Sequence, residues 1–296
     1  MSIFLGTNQV GSINLIQQQI VNIDLEDELI HRTILSYNNS EILNIRHYAF
    51  ASCSNLTSVS FPNCSYIGGY AFYKCTSLTS AIFPNCSYVG VQAFWGCTSL
   101  TTISFSNCTS IGEGVFRSCT SFTTISFPVC DYIGINAFQG CSNLTSISFP
   151  NCSYIGSWAF QSCSNLTSIS FPNCSYIGSY AFYSCTNLTS VSFPSCTSIE
   201  YYAFEYCTSL TSVSFPNCTS IGNGAFYKCY NLLSVYLLGS SIPKLSSINA
   251  FQSTPISNYT TSTGGRYGSI FVPASLYNSY KTATNWSVYS ARIVSV

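Results

Sequence analysis

A 22-residue period runs through most of the chain. Phe50, Phe72, Phe94, Phe116, Phe138, Phe160, Phe182, Phe204 and Phe226 stand 22 residues apart. Eight of the nine follow an alanine, with Val115 the exception. Eight full units span residues 56–231, of which residues 144–165, LTSISFPNCSYIGSWAFQSCSN, are representative. A half unit precedes them (Ile42, Ile45, Ala49, Phe50, Cys53) and a partial one follows (Leu232, Val235, Leu237). All 17 cysteines lie on the same lattice, one every 11 residues from Cys53 to Cys229. Phenylalanine also recurs every 11 residues from Phe61 to Phe226. A unit this short cannot bury a core alone, whereas stacking on its neighbours buries one, so the period predicts a solenoid.

Counting each unit from its leucine as position 1, the opening L-T-S-I-S-F alternates inward and outward as a half-buried strand does. Proline at position 7, replaced only by Ser106, ends that strand because it has no N–H to donate. Position 13 is glycine in seven of the eight units, which predicts a tight turn in the left-handed conformation. The segment after it, x-x-A-F-x-x-C, reads as a short helical or irregular turn with Ala, Phe and Cys facing inward. Coils separated by ~4.8 Å, the spacing of paired strands, stack to roughly 40 Å over nine coils.

The skeleton L-x-x-I-x-F-P-x-C-x-x-I is similar to the leucine-rich-repeat strand signature, with cysteine in the slot often held by asparagine. The following I-G-x-x-A-F-x-x-C resembles the BspA-like subfamily of bacterial leucine-rich repeats, across about residues 42–237. The resemblance implies a right-handed coil with a parallel β-sheet on one face and short helical or irregular turns opposite. It also implies a surface or secreted protein that works in adhesion or protein binding. Residues 1–41 fall outside the skeleton and carry Asp24, Glu26, Asp27 and Glu28, so they are expected to cap the first coil. Residues 238–296 are expected to cap the last one. Their string FVPASLYNSYKTATNWSVYSARI resembles C-terminal caps of BspA-like proteins, with a strand at 270–272 and a short helix after Pro273.

The composition excludes several classes. Charged residues are 6 % of the chain, and nine Lys and Arg balance nine Asp and Glu, which leaves no basic footprint for a nucleic acid. Apolar residues are 47 %, far above a disordered composition. No run of 18 apolar residues could span a bilayer. The opening MSIFLGTNQVGSINL lacks a basic n-region and a long apolar run, so no secretory signal is read there. Location is therefore left between extracellular, cell-surface and virion.

Catalysis needs titratable groups that converge. The two histidines, His31 and His47, read as structural, and Glu113, Asp131, Glu200 and Glu205 are scattered over four units. No phosphate-binding or dinucleotide motif is present. Eleven-residue spacing offers no close cysteine pair for a metal. Stacked cysteines come within disulfide range between coils, but their Cβ vectors run parallel. The expectation is two ladders of buried, reduced thiols and no cofactor, with some disulfides or a metal as the alternatives.

The positions that differ between units locate the candidate recognition surface. Positions 2, 3 and 5 form a nearly uniform Ser/Thr carpet, broken by Ile82. Positions 14, 15, 18 and 19 vary and are rich in aromatics: Tyr70, Tyr73, Trp95, Arg117, Trp158, Tyr180, Tyr183, Tyr202, Glu205, Tyr206 and Tyr227. Lys74 and Lys228 join them, and position 11 adds Tyr66, Tyr88, Tyr132, Tyr154 and Tyr176. Interfaces favour Tyr, Trp and Arg because each buries a large area and keeps a polar handle. The plain alternative is that these exposed positions simply tolerate change. The resulting expectation is a non-enzymatic module that binds a protein or glycan on a cell or virion surface. The alternative is a structural virion or appendage component using the solenoid as a spacer, since IFLGTNQVGSINL resembles the starts of some phage tail-associated proteins.

Overall fold

The computed structural model describes residues 36–257 and 267–296. The acidic residues 24–28, His31 and most of the loop from Ser257 to Gly268 lie outside the described residues. Every coil contributes one three-residue strand at the same offset, from Ser58–Ser60 and Ser80–Ile82 through to Ser234–Tyr236. Where they pair they are parallel and in register, with Ser58 opposite Ser80 and Val59 opposite Ala81. These are the nine strands that the repeat predicts. They begin two residues after the leucine, because the Leu56 N–H is already committed to the Cys53 carbonyl (3.1 Å) and closes a turn there.

A second parallel ladder lies on another face of the coil. It consists of two-residue strands such as Asn44–Ile45, Tyr66–Ile67 and Tyr154–Ile155, with Tyr66 opposite Tyr88. Two residues are too few for an alternating pattern to show in the sequence. After it comes the irregular form of the expected turn segment. Alternate N–H groups bond within the coil (Ala51 to the Tyr48 carbonyl, 3.0 Å) and onward to the next coil (Phe50 to Ala71, 2.7 Å; Ser52 to Tyr73, 2.6 Å).

The expectation of a left-handed glycine at position 13 is corrected. Positive φ falls instead at positions 15 and 19, for example Tyr70 (58°), Lys74 (54°), Trp158 (55°) and Tyr206 (60°). The position-13 glycine serves close approach of backbones. A Cβ on Gly68 would sit 2.5 Å from the His47 nitrogen, and one on Gly156 would sit 2.6 Å from the Gly134 carbonyl carbon.

The core is two columns of phenylalanine, at positions 6 and 17, buried throughout. Neighbouring rings stack along each column, Phe50 on Phe72 at 5.0 Å and Phe138 on Phe160 at 5.2 Å. Such pairs contribute ~0.5–1.5 kcal/mol each beyond the area they bury. The 17 cysteines are free and buried beside them. In one column each thiol bonds a carbonyl in its own coil, as Cys64 does to Tyr66 (3.2 Å). In the other it reaches the previous coil, as Cys97 does to Phe72 (3.0 Å).

Two of the three interruptions in the ladders fall where the repeat is least regular. The first opens between Thr102–Ser104 and Thr124–Ser126, and the second between Tyr88–Val89 and Ser110–Ile111. Here Val115 stands where other units have alanine, and Phe122 where they have leucine. The added volume spreads the rings: Phe105 and Phe127 are 6.3 Å apart, against 5.5 Å for Phe83 and Phe105. Gly112, alone among the position-13 glycines described, would meet nothing nearer than 3.6 Å. The first ladder opens again between Ser168–Ser170 and Ser190–Ser192.

Parallel pairing continues on both sides of residues 42–237. Ser36–Asn38 pairs with Ser58–Ser60, Lys244–Leu245 with Ser220–Ile221, and Ser269–Val272 with both Ser234–Tyr236 and Ile293–Ser295. Between the last two strands lie a short helix, Tyr277–Thr282, and a 3-10 turn, Ser287–Arg292. Side chains here bond the carbonyls of the last coil: Asn285 Nδ2 to Leu245 (2.7 Å), Trp286 Nε1 to Pro243 (2.8 Å) and Tyr289 OH to Ile248.

Candidate binding surface

At several outward positions the polar side chains are already used between coils. Position-2 hydroxyls donate to the carbonyl one coil back, as Thr79 does to Thr57 (2.9 Å) and Thr167 to Thr145 (3.1 Å). Position-8 asparagines bond the preceding coil's proline carbonyl, as Asn151 does to Pro128 (2.8 Å). Position 10 repeats the pattern, with Ser175 on Ser153 (3.0 Å). The threonines of the carpet are therefore staples that hold coils together.

The turn row is different. Positions 15 and 19 are left-handed, which projects their side chains away from the core in every coil. Non-glycine residues rarely take this conformation. Where consecutive coils carry rings at position 15, those rings stack face to face along the solenoid. Tyr48 stacks on Tyr70 at 4.8 Å, Trp158 on Tyr180 at 5.5 Å and Tyr180 on Tyr202 at 5.2 Å, all within 15° of parallel. Tyr180 has a ring on each face and so turns its edge and hydroxyl outward.

The eleven residues singled out in the sequence fall into two patches. The N-terminal patch holds Tyr70, Tyr73, Trp95 and Arg117. Tyr70 meets Tyr73 edge-on at 6.0 Å, Tyr73 meets Trp95 at 5.1 Å, and the Arg117 guanidinium lies 5.0 Å above the Trp95 ring. The C-terminal patch holds Trp158, Tyr180, Tyr183, Tyr202, Glu205, Tyr206 and Tyr227. Tyr183 touches Tyr180 and Tyr206 edge-on, and Tyr202 touches Tyr227. Between the patches the row has no aromatic ring and carries Ile135, Asn136 and a Gln139–Gln161 amide pair. All eleven are partly exposed, and Trp158 is the most open.

Tyr48, which the sequence reading does not single out, joins the N-terminal patch by stacking on Tyr70. Its signal was its place 22 residues before Tyr70, in the half unit. Lys74 and Lys228 complete the patches: Lys74 lies 5.1 Å over Tyr73, and Lys228 lies over Tyr206 (4.4 Å) and Tyr227 (4.8 Å) while donating to the Tyr206 hydroxyl. That hydrogen bond raises the Lys228 pKa. Partial burial raises the Glu205 carboxyl pKa, against the pull of Lys228. A separate stack, Tyr132–Tyr154–Tyr176, runs along the second ladder at 5.0 and 4.7 Å.

No catalytic constellation assembles from the titratable groups that are described. His47 is held within the turn row, with Nδ1 accepting from the Gly69 N–H (3.1 Å) and Nε2 3.4 Å from the Tyr66 hydroxyl. Glu200 accepts from the Ser198 hydroxyl (3.0 Å). Among the described residues no cluster of His, Cys, Asp and Glu could hold a metal, and no helix is long and apolar enough to cross a membrane.

The chain matches the family model for the BspA type leucine rich repeat region in six copies, over residues 43–152 and 131–257. No curated protein matches it. Similar solved structures include a leucine rich cell surface protein from Faecalibacterium prausnitzii, 22 % identical, covering 84 % of this chain and 86 % of that one, with a TM-score of 0.40. A leucine rich repeat protein from T. pallidum is 25 % identical and covers 67 % of this chain and 78 % of its own (TM-score 0.38). One from Bacteroides ovatus is 20 % identical and covers 73 % and 84 % (TM-score 0.34).

Proposed function

The chain belongs to the BspA-type leucine-rich-repeat family, and from that premise we propose that it is a non-enzymatic binding or adhesion module whose turn row holds a protein or glycan. One observation carries the reading. The outward threonines and asparagines of the other faces staple coil to coil, while the turn row gathers exposed aromatics that no staple requires. Aromatic clusters with a polar edge are what interfaces favour. We also propose that residues 1–41 and 238–296 act as caps.

The test is a triple variant, Trp158→Ala with Tyr180→Ala and Tyr202→Ala, assayed on protein and glycan arrays. Truncating hot-spot aromatics costs ~2 kcal/mol or more each, so binding should fall by well over a hundredfold. The control is Ser170→Ala with Ser192→Ala and Ser214→Ala, outward residues of the strand face that are not among the staples. Loss of binding in the control alone would move the site to the strand face. No loss in either variant would exclude both the C-terminal half of the turn row and the strand face.

A further inference from the structure

We propose that the N-terminal patch binds a linear acidic polysaccharide whose carboxylates recur on alternate sugars. This rests on the turn row being the binding surface, and it names what one half of that row takes.

Lys74 and Arg117 belong to coils on either side of the one that carries Trp95. The Lys74 N–H bonds the Trp95 carbonyl and the Gly96 N–H bonds the Arg117 carbonyl, both at 2.8 Å, so the three coils are consecutive. Coils separated by ~4.8 Å place the two cations' coils about 10 Å apart. That is close to the length of one disaccharide in an extended chain. Each cation rests on a ring, Lys74 on Tyr73 and Arg117 on Trp95, and neither is ion-paired among the described residues. The one acid described on this stretch of the row, Glu113, is exposed in Arg117's own coil, so two cations face one carboxylate.

The geometry favours a sugar polymer over a peptide. A peptide needs a free strand edge or pockets for its side chains. Here the Tyr70, Phe72 and Lys74 N–H groups are already bonded to the Val91, Ala93 and Trp95 carbonyls. What remains is a line of ring edges and phenolic hydroxyls suited to sugar hydroxyls. Two cations on a chain of zero net charge are too few for a nucleic acid. The C-terminal patch differs in charge, because Lys228 is engaged by two tyrosines and faces Glu205.

The experiment measures binding to a linear polymer of alternating glucuronate and N-acetylglucosamine. Its carboxyl-reduced form and polyglutamate serve as comparison ligands. The full chain should bind the acidic polymer, more weakly as salt rises, and should not bind the reduced form or polyglutamate. Lys74→Gln with Arg117→Gln should lower the affinity roughly tenfold or more while the thermal melt stays unchanged. Ser170→Ala with Ser192→Ala and Ser214→Ala, on the strand face, should leave it intact. Equal binding of the reduced polymer, of polyglutamate, or by the double variant would overturn the proposal. If the chain ignores the acidic polymer while the triple variant at Trp158, Tyr180 and Tyr202 loses another ligand, this inference fails and the binding row stands. If no variant in the row alters any binding, the row itself is wrong.

Discussion

Cys75 donates its thiol proton to the carbonyl oxygen of Phe50, one coil earlier, across 2.9 Å. The Phe50 carbonyl also accepts from the Cys53 N–H (3.1 Å), so one buried oxygen ties a turn to itself and to the next coil. The same arrangement recurs from Cys75 to Cys229. The cysteines are thus core side chains with a structural proton, and that proton has to stay on.

Alkaline pH should therefore unfold the protein. Burial raises the pKa of the Cys64 thiol to about 11 and that of Cys53 to about 12, and all 17 thiols are buried. An unfolded thiol ionises near 8.5. Above that pH the unfolded chain releases protons that the folded chain retains, so stability present below about 8.5 is lost as pH rises. Each thiol costs ~1.4 kcal/mol per pH unit, and seventeen together exceed the ~5–15 kcal/mol stability of a typical domain within about one unit. Circular dichroism should show cooperative unfolding before pH 10. A native spectrum at pH 11 would refute this. At pH 7, thiol reagents should label few cysteines until denaturant is added.

The two kinds of position-13 glycine should respond oppositely to alanine. Gly156→Ala drives a Cβ into the Gly134–Ile135 backbone and should cost about 1–3 kcal/mol. Gly112→Ala has room and should be neutral or stabilise by about 0.4–1 kcal/mol through the unfolded state. Equal destabilisation in denaturant melts would mean that coil contact is not what selects glycine.

Restoring the regular repeat at its irregular joint should close the ladders. Phe122→Leu with Val115→Ala removes the added volume between neighbouring coils. A large-to-small change in a core ordinarily costs stability. Here the expected result is no loss of stability and slower amide exchange at Thr123 and Thr124. A drop of about 2 kcal/mol or more would show that the joint is already well packed.

At the C-terminal end, side chains take the place of the next coil's backbone donors. Asn285→Ala should cost about 1 kcal/mol by leaving the Leu245 carbonyl without that donor. Tyr280→Phe should cost nothing or stabilise, because the Tyr280 hydroxyl is buried with no hydrogen-bond partner. Deleting residues 270–296 should expose an apolar coil and a strand edge and cause aggregation or chain-to-chain stacking. A monomeric, equally stable truncation would make this segment an independent module.

The sequence by itself determined the solenoid, the nine strands, the inward Phe and Cys columns and the row where the variable aromatics lie. Each follows from period and alternation, because a repeated unit must present the same face at every turn. Tertiary structure decided what the residues in that row do. Tyr70, Trp158 and Tyr202 hold left-handed positions that residue type alone assigns to glycine or asparagine. Glycine was needed two residues earlier, where coil backbones nearly touch. The outward threonines looked free, yet their hydroxyls bond the coil before, 22 residues away in sequence. Only stacking brings such residues together, so only the stacked coils separate staples from the exposed rings and divide those rings into two patches of different charge.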